Sequence, residues 1–239
     1  YTPEVGIWLS VDPLSDKYPS LSPFMYCAGN PVIYIDPDGR DIYQVDESGN
    51  FKGRLERSYD QFQVVSVDGK TVLSSSEKYK KNTVINSVSG IPTVDPDGKP
   101  ITIDAYAIKG SKNGESIHQF LSDNTDVEYA RWDFSSGLNV IGTSHDTGRE
   151  VSAGFMKKYL SNNNWFGFLR TFDHNHPDGS NVPSGTWRNK KDESGDTDFV
   201  KSIEAANPNV ISRIYTKENG YSYYNGYGPC SPPVIIKSN

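Results

Sequence analysis

The chain has 239 residues, with 24 Lys and Arg against 30 Asp and Glu, a net charge of -6 and a pI of about 5.2. This acidic balance gives no electrostatic reason to expect nucleic acid as a partner, because binding a phosphate backbone needs a basic surface. No apolar run approaches the ~18 residues that a membrane span requires. The N-terminus also lacks the order of a signal peptide, and Tyr1 is an odd first residue, so we expect a fragment of a longer protein.

The two cysteines, Cys27 and Cys230, lie far apart in the sequence and form no C-x-x-C spacing. Neither a thiolate zinc site nor a disulfide framework is therefore indicated. We expect both cysteines to carry no metal, and a single bridge between them stays open.

The first 40 residues are rich in Pro, Gly, Tyr and Asn, with short apolar runs between turn signals. This composition is typical of strands and turns that complete a larger β structure, and so short a segment cannot bury a core by itself. Three motifs, in this order, resemble the RHS-repeat-associated core region that closes the shell of polymorphic toxins: YTPEVGIWLSVDP at 1–13, YCAGNP at 26–31 and DPDGR at 36–40.

This resemblance implies that residues 1–40 end an RHS-repeat-associated core and that toxin cargo follows. It further implies an autoproteolytic boundary at the closing Asp-Pro-x-Gly element, although Arg40 stands where a leucine is usual. Asp12 and Asp36 both precede proline, and two carboxylates can act as an acid/base couple if the fold brings them together. An Asp before Pro is also an ordinary turn residue, so both interpretations stay open.

The toxin context implies partners and a destination. The resemblance implies contact with the RHS shell of the parent chain and with a cognate immunity protein. It also implies a protein that is secreted or delivered into a target cell.

Residues 41–110 alternate β-type runs with turn dipeptides. The runs 42–45, 62–67 and 101–108 lie beside Ser-Gly-Asn or Asp-Gly turns, which is the pattern of β-hairpins. We predict a β-hairpin-rich leader over 41–110 and find no catalytic constellation in it.

The period changes after residue 110, because Ile117, Phe120 and Leu121 lie at helical spacing and predict a helix over 115–122. Further helices are predicted over 154–160 and 198–206. Strands are predicted over 127–134, 139–144, 166–174, 210–215 and 221–224. Strands with interleaved helices predict an α+β domain over 111–239, with one mixed sheet flanked by helices.

His174 and His176 are two residues apart, so at the end of a strand both imidazoles leave on the same side and can bind one ion. Pro177 then ends the strand. Two histidines are too few for a tetrahedral zinc site, so a carboxylate and a water must complete it. A His-x-His pair without metal is also common in loops.

Seven residues separate His176 from Ser184. His-x-His-Pro, seven residues and then Ser is the JAMM signature, and the chain from about residue 115 onward resembles JAB/JAMM metallopeptidases, including the JAB-like toxin domains that RHS proteins carry. The resemblance implies a JAB/MPN-like fold, Zn²⁺ as cofactor and hydrolysis of a protein or peptide substrate. It also implies that Ser184 donates a hydrogen bond to the tetrahedral oxyanion.

The third ligand of the JAMM pattern is an Asp three residues after the serine, where this chain has Trp187. An insertion must therefore lie between the serine and the aspartate. The resemblance favours Asp196, which precedes the apolar stripe of the next predicted helix, and Asp198 is the alternative.

JAMM proteins also place a glutamate on an earlier strand, where it acts as the base toward the zinc-bound water. Glu128 fits this role, because it follows the 115–122 helix and shares the strand face of Ala130, Trp132 and Phe134. A surface glutamate is the alternative interpretation, and Glu115 and Glu150 are weaker candidates for the base. Of the other histidines, His145 is predicted as a turn residue and His118 as solvent-exposed.

Three functions compete. The favoured one is a zinc metallopeptidase or isopeptidase with ligands His174, His176 and Asp196. An HNH-like nuclease also uses a histidine-rich metal site, but residues 101–239 hold 14 Lys and Arg against 16 Asp and Glu, so the basic surface of a DNase is missing. The third is a binding module with a degenerate site.

Overall fold

The structure is a computed structural model that describes residues 41–95, 97–148, 151–162, 165–184 and 195–232. These described residues fall within one unit of the chain. Several residues considered above lie outside them: the 1–40 segment with Asp12, Cys27 and Asp36, then Glu150 and Trp187.

The first described elements form a four-stranded sheet. Its strands are β1 (Asp41–Asp46), β2 (Phe51–Glu56), β3 (Gln61–Val65) and β4 (Val72–Ser75), in the order β2-β1-β3-β4. β1 with β2 and β3 with β4 are antiparallel, whereas β1 and β3 run parallel. The hairpins predicted around Gly49 and Gly69 are therefore confirmed.

The remaining described strands are β5 (Val84–Val94), β6 (Pro100–Lys109), β7 (Ala130–Phe134), β8 (Leu138–Thr143), β9 (Leu169–Asn175), β10 (Ile211–Thr216), β11 (Gly220–Asn225) and β12 (Gly228–Pro229). They form an eight-stranded mixed sheet in the order β12-β11-β10-β9-β7-β8-β6-β5. Only β9 and β10 are parallel neighbours among these described strands.

Within the described residues, three helices accompany this sheet: α1 (Ser111–Asn124), α2 (Val151–Asn162) and α3 (Asp196–Glu204). A mixed sheet flanked by helices confirms the predicted α+β fold. None of the described helices is both long enough and apolar enough to cross a membrane.

Each face of the large sheet carries its own apolar core. On one face, α1 and the four-stranded sheet bury Tyr106, Ile141 and their neighbours together with Phe62. On the other face, α2 and α3 contribute to a core that includes Trp132 and Phe172. The large sheet is therefore covered on both faces, which explains why most side chains of β7 and β9 are buried.

The predicted faces of the central strands are largely confirmed. Ala130, Trp132 and Phe134 belong to the core beneath α2 and α3, as period-two alternation requires. In the strand predicted over 166–174, alternation would place Phe168 on the same face as Phe166, Phe172 and His174, but Phe168 is 60% exposed. That expectation is wrong because Phe168 lies in a 3₁₀ turn before β9, where strand alternation does not apply.

His118 was predicted to be exposed, and this is wrong, because its side chain is fully buried beneath α1. Its Nδ1 lies 3.3 Å from the Tyr221 hydroxyl and its Nε2 lies 3.4 Å from the Tyr129 carbonyl oxygen. Burial lowers the pKa of His118 to about 4, so the ring is neutral near pH 7. The face of α1 that packs on the sheet is thus wider than its apolar stripe. It includes His118, whose polar contacts offset the cost of burying the ring.

Buried charges also lie between α1 and the sheet. Asp173 of β9 is fully buried and accepts two hydrogen bonds from Arg213, at 2.8 Å from Nε and 2.9 Å from Nη2. Arg131 of β7 donates to the same carboxylate. Because a buried charge without a partner is strongly destabilising, these pairs tie three adjacent strands together.

β5 and β6 precede residue 111 yet belong to the same sheet as β7 to β12. β6 pairs with β8 from Asp104 opposite Thr143 to Lys109 opposite Leu138. The sheet therefore continues across the border predicted between the leader (41–110) and the toxin domain (111–239). The domain boundaries themselves stay a prediction.

This continuity leads to a prediction about truncation. A chain that begins at residue 111 lacks β6, which leaves β8 without a partner on that side and exposes the core around Ile141. We expect it to lose cooperative urea unfolding monitored by circular dichroism, whereas a chain that begins at residue 41 keeps it. Cooperative unfolding of the shorter chain would contradict the expectation and favour a domain that starts at residue 111.

Candidate metal centre

The end of β9 presents two histidines on one side. His174 and His176 are two residues apart, and both rings lie on the side of the sheet that faces α2 and α3. Their Nε2 atoms are 3.0 Å apart. The predicted convergence of the two imidazoles is therefore observed.

Asp196, the first residue of α3, brings a carboxylate to this pair. Its Oδ2 lies 3.4 Å from the Nε2 of His174 and 3.3 Å from the Nε2 of His176. Among the described residues, these three form a group that could hold a metal ion. Asp198, the alternative ligand, lies in the same helical turn but is not part of the group, and its carboxylate is 3.6 Å from Lys201.

The donor set and its spacing fit zinc. Zn–N distances of about 2.0–2.1 Å in a tetrahedral site separate neighbouring ligand atoms by about 3.3 Å. The three separations found here, 3.0, 3.3 and 3.4 Å, are close to that value. Two imidazoles and one carboxylate also leave a fourth position, as catalytic zinc sites do.

Outer contacts orient both rings. The Nδ1 of His176 lies 2.8 Å from the carbonyl oxygen of Ser180, to which it can only donate, so the lone pair of that ring belongs to Nε2. The Nδ1 of His174 lies 3.2 Å from the hydroxyl of buried Tyr224. Such contacts to the second ring nitrogen are usual at metal-binding histidines, because they select the tautomer and the ring angle.

The charge state of the carboxylate also suits a cation. Burial opposes ionisation of Asp196, but His174 and His176 outweigh it and hold the pKa of this carboxyl well below its usual range. Asp196 is therefore ionised near pH 7 and carries the negative charge of the site.

Ser184 and Asp196 are joined by two reciprocal hydrogen bonds. The Ser184 N–H donates to Oδ2 of Asp196 at 2.7 Å, and the Asp196 N–H donates to Oγ of Ser184 at 2.9 Å. The two residues that an insertion was expected to separate are thus adjacent in space. The hydroxyl hydrogen of Ser184 is not used in either bond, and Ser184 lines the same cleft as the histidines.

Glu128 lies just before β7 and faces the histidine pair. The pairing of β7 with β9 ends with Ala130 opposite His174, and a continued register would bring Glu128 opposite His176. The side chain is 7% exposed and lines the cleft that contains both histidines and Asp196. Glu128 therefore lines the same cleft as the histidine pair, and its role as a base stays a prediction.

The environment of Glu128 changes its acidity. Burial raises the pKa of the Glu128 carboxyl to about 7, while His174 and His176 act in the opposite direction. A carboxyl with a pKa near neutrality can both accept and return a proton at pH 7.

The cleft around these groups has a volume of about 620 Å³. Apolar side chains from α2, β9 and α3 form one part of its wall, including Val151, Phe172 and Phe199. Asp97, from the turn between β5 and β6, and Asp178 add carboxylates. No Lys or Arg lines the cleft within the part of the chain that the structure describes.

The other candidate residues lie elsewhere. Glu115 is 3.2 Å from Arg213 on the α1 side of the sheet, so it is removed from the candidates for the base. His145 has a positive φ of 62° and lies 3.6 Å from Asp104, in agreement with its prediction as a turn residue. Cys230 is an exposed free cysteine and is not part of the metal group.

Sequence reasoning missed the contacts that support the histidines. Tyr224 was predicted to lie on a strand, but no motif marked it as a partner of His174, since β11 reaches the site only through the order of the sheet. Asn175 was passed over, although a polar residue between two metal-binding histidines must point to the opposite face of the sheet and find partners there.

One family model matches the chain: residues 106–201 match JAB-like toxin 1. No curated protein and no solved structure matches the chain. The matched stretch begins in β6, ends in α3 and contains Glu128, His174, His176, Ser184 and Asp196. Residues 106–201 thus support a JAB-like toxin domain in this chain, and the α+β fold is consistent with one.

Proposed function

We propose that the chain is a zinc-dependent hydrolase of amide bonds, of the JAMM metallopeptidase type, which acts as the toxic cargo of a larger protein. The observation that carries the proposal is the convergence of His174, His176 and Asp196 with the buried Glu128 in one cleft. Metal-assisted hydrolysis requires side chains that can bind a metal ion and a carboxyl beside them that can accept a proton.

In this proposal His174, His176 and Asp196 hold zinc, and zinc bound there supplies Lewis acidity that lowers the pKa of water toward neutrality. Glu128 takes the proton from the attacking water and returns it to the leaving amine. A buried carboxyl that lines the same cleft as the candidate ligands is placed to make both transfers.

Ser184 is proposed to stabilise the tetrahedral oxyanion. Its Oγ accepts the N–H of Asp196, which holds the oxygen in place and leaves the hydroxyl hydrogen available to a ligand in the cleft. A donor held in advance of the reaction lowers the barrier, because it need not reorganise as charge develops.

The proposed substrate is a protein or peptide. A nuclease needs cations for the phosphate backbone, and the described lining of the cleft has carboxylates and no Lys or Arg. The match to JAB-like toxin 1 supports a toxic role and delivery into a target cell. An RHS shell, autoproteolysis at Asp12 and Asp36 and an immunity protein are parts of this proposal that follow from the resemblance of residues 1–40.

The metal ligands can be tested first. We expect the full chain, expressed in zinc-replete medium, to contain about one zinc per chain, measured by inductively coupled plasma mass spectrometry. His174→Ala should lose zinc and the inhibition of growth in a bacterial host, because two protein ligands cannot complete the site. His145→Ala is the matched control and should change neither. A parent chain without zinc would contradict the hydrolase proposal.

The base can be tested separately from the metal. Glu128→Gln should keep zinc and the folded state yet lose turnover by about 100-fold or more, because loss of a general base typically has this effect. Glu115→Gln is the control, since Glu115 lies on the other side of the sheet. Turnover is measured as new primary amines released from a peptide library that includes lysine isopeptides. Full activity of Glu128→Gln would remove Glu128 from the mechanism.

The binding-module alternative predicts a different pattern. If the parent chain and Glu128→Gln both keep zinc and inhibit growth equally well, the chain acts by binding rather than by hydrolysis. That result would contradict the proposed hydrolase.

A further inference from the structure

Asn175, the last residue of β9, lies between His174 and His176 and points away from them. Because side chains alternate along a strand, it faces the α1 side of the sheet while His174 and His176 face the cleft. It is 2% exposed, so its carboxamide must find its hydrogen-bond partners within the protein.

The side chain of Asn175 makes two hydrogen bonds to the segment 127–129. Its Oδ1 accepts the N–H of Tyr129 at 2.6 Å, and its Nδ2 donates to the carbonyl oxygen of Val127 at 3.1 Å. Its main-chain N–H donates to the carbonyl oxygen of Tyr129 at 3.3 Å. The side chain therefore holds the backbone on both sides of Glu128.

These bonds occur where the regular pairing stops. The register between β7 and β9 ends with Ala130 opposite His174, so Glu128 precedes the paired part of its strand. The main chain of Glu128 itself bonds elsewhere, with its N–H donating to Asp146 O and its carbonyl accepting from Oγ1 of Thr143, both at 2.8 Å. Asn175 thus continues the link between the two strands beyond Ala130.

We propose that Asn175 is a positioning residue that sets the distance between Glu128 and the metal ligands. The inference rests on the proposed function, because it gives Asn175 a role only if Glu128 acts on the substrate or its attacking water. A displacement of about 1 Å between reacting groups can lower a rate by about 100-fold. A link of this kind is therefore expected to affect catalysis more than metal binding.

The carboxamide of Asn175 supplies both groups that this position uses. The site needs one acceptor for the Tyr129 N–H and one donor for the Val127 carbonyl at the same time. Aspartate supplies the acceptor without the donor and adds a buried charge, and alanine supplies neither.

A purely structural role is the rival explanation, and the chain contains a matched control for it. Asn207 is also a buried asparagine, and its Nδ2 donates to two carbonyl oxygens, those of Phe166 at 2.8 Å and Leu169 at 2.9 Å. It holds the opposite end of β9. Asn207→Ala should therefore remove similar bonds without moving Glu128.

The experiment compares Asn175→Ala, Asn207→Ala and the parent in the full chain. Amide hydrogen exchange at Tyr129, followed by NMR, reports the link directly and needs no substrate. We expect Asn175→Ala to lose protection at Tyr129, keep the zinc content of the parent and lower turnover by about 10-fold to 100-fold. Asn207→Ala should lower the melting temperature while keeping Tyr129 protection and parental turnover.

Coupling to Glu128 supplies the deciding measurement. If Asn175 acts through Glu128, then Glu128→Gln should reduce turnover far less in Asn175→Ala than in the parent or in Asn207→Ala. An equal reduction in all three backgrounds, or unchanged Tyr129 protection in Asn175→Ala, would overturn the inference. If Asn175→Ala fails to fold, Asn175→Ser replaces it, because serine adds no buried charge and its side chain is one bond too short to take the place of the carboxamide between Tyr129 and Val127.

This design separates the two proposals. A parent chain that releases no amines refutes the proposed function. A parent chain that hydrolyses peptides, with Glu128 uncoupled from Asn175, refutes only this inference.

Discussion

The end of strand β9 points hydrogen-bonded polar side chains to one face of the sheet and the two histidines to the other. The candidate site depends on this alternation. Asp173 and Asn175 point toward α1, where Arg213, Arg131 and the 127–129 segment satisfy them. His174 and His176 point toward the cleft. A slip of one residue would bury the Asp173 charge against apolar side chains and turn both histidines away from Asp196. The ion pairs behind the sheet therefore help to keep the three candidate ligands together in front of it.

The buried carboxyl of Glu128 is a cost that the rest of the fold offsets. A rise in pKa from 4.5 to about 7 corresponds to about 3 kcal/mol of lost stability, felt fully above about pH 7 and absent below about pH 4.5. Two closely packed cores, one on each face of the sheet, supply the stability that allows such a residue to persist. This loss of stability falls on the residue that the proposed function makes the base.

Much of the site could be predicted because its residues follow local rules. The two-residue spacing of His174 and His176 places them together whatever sheet they join. Helical spacing located α3, and the resemblance to the JAMM pattern then favoured Asp196 over Asp198. His118 could not be placed in this way, because its burial comes from α1 packing on the sheet rather than from its own helix face. The contact between Tyr224 and His174 likewise depends on strand order, which no local pattern reveals.

The reciprocal hydrogen bonds between Ser184 and Asp196 join the two residues that flank the sequence 185–195. Because each residue holds the backbone N–H of the other, the position of the carboxylate is set by these bonds and not by the number of residues in between. We therefore expect the sequence between Ser184 and Asp196 to tolerate changes in length and composition while Asp196 stays beside His174 and His176. The three candidate ligands would then keep their arrangement even where this part of the chain diverges between related proteins.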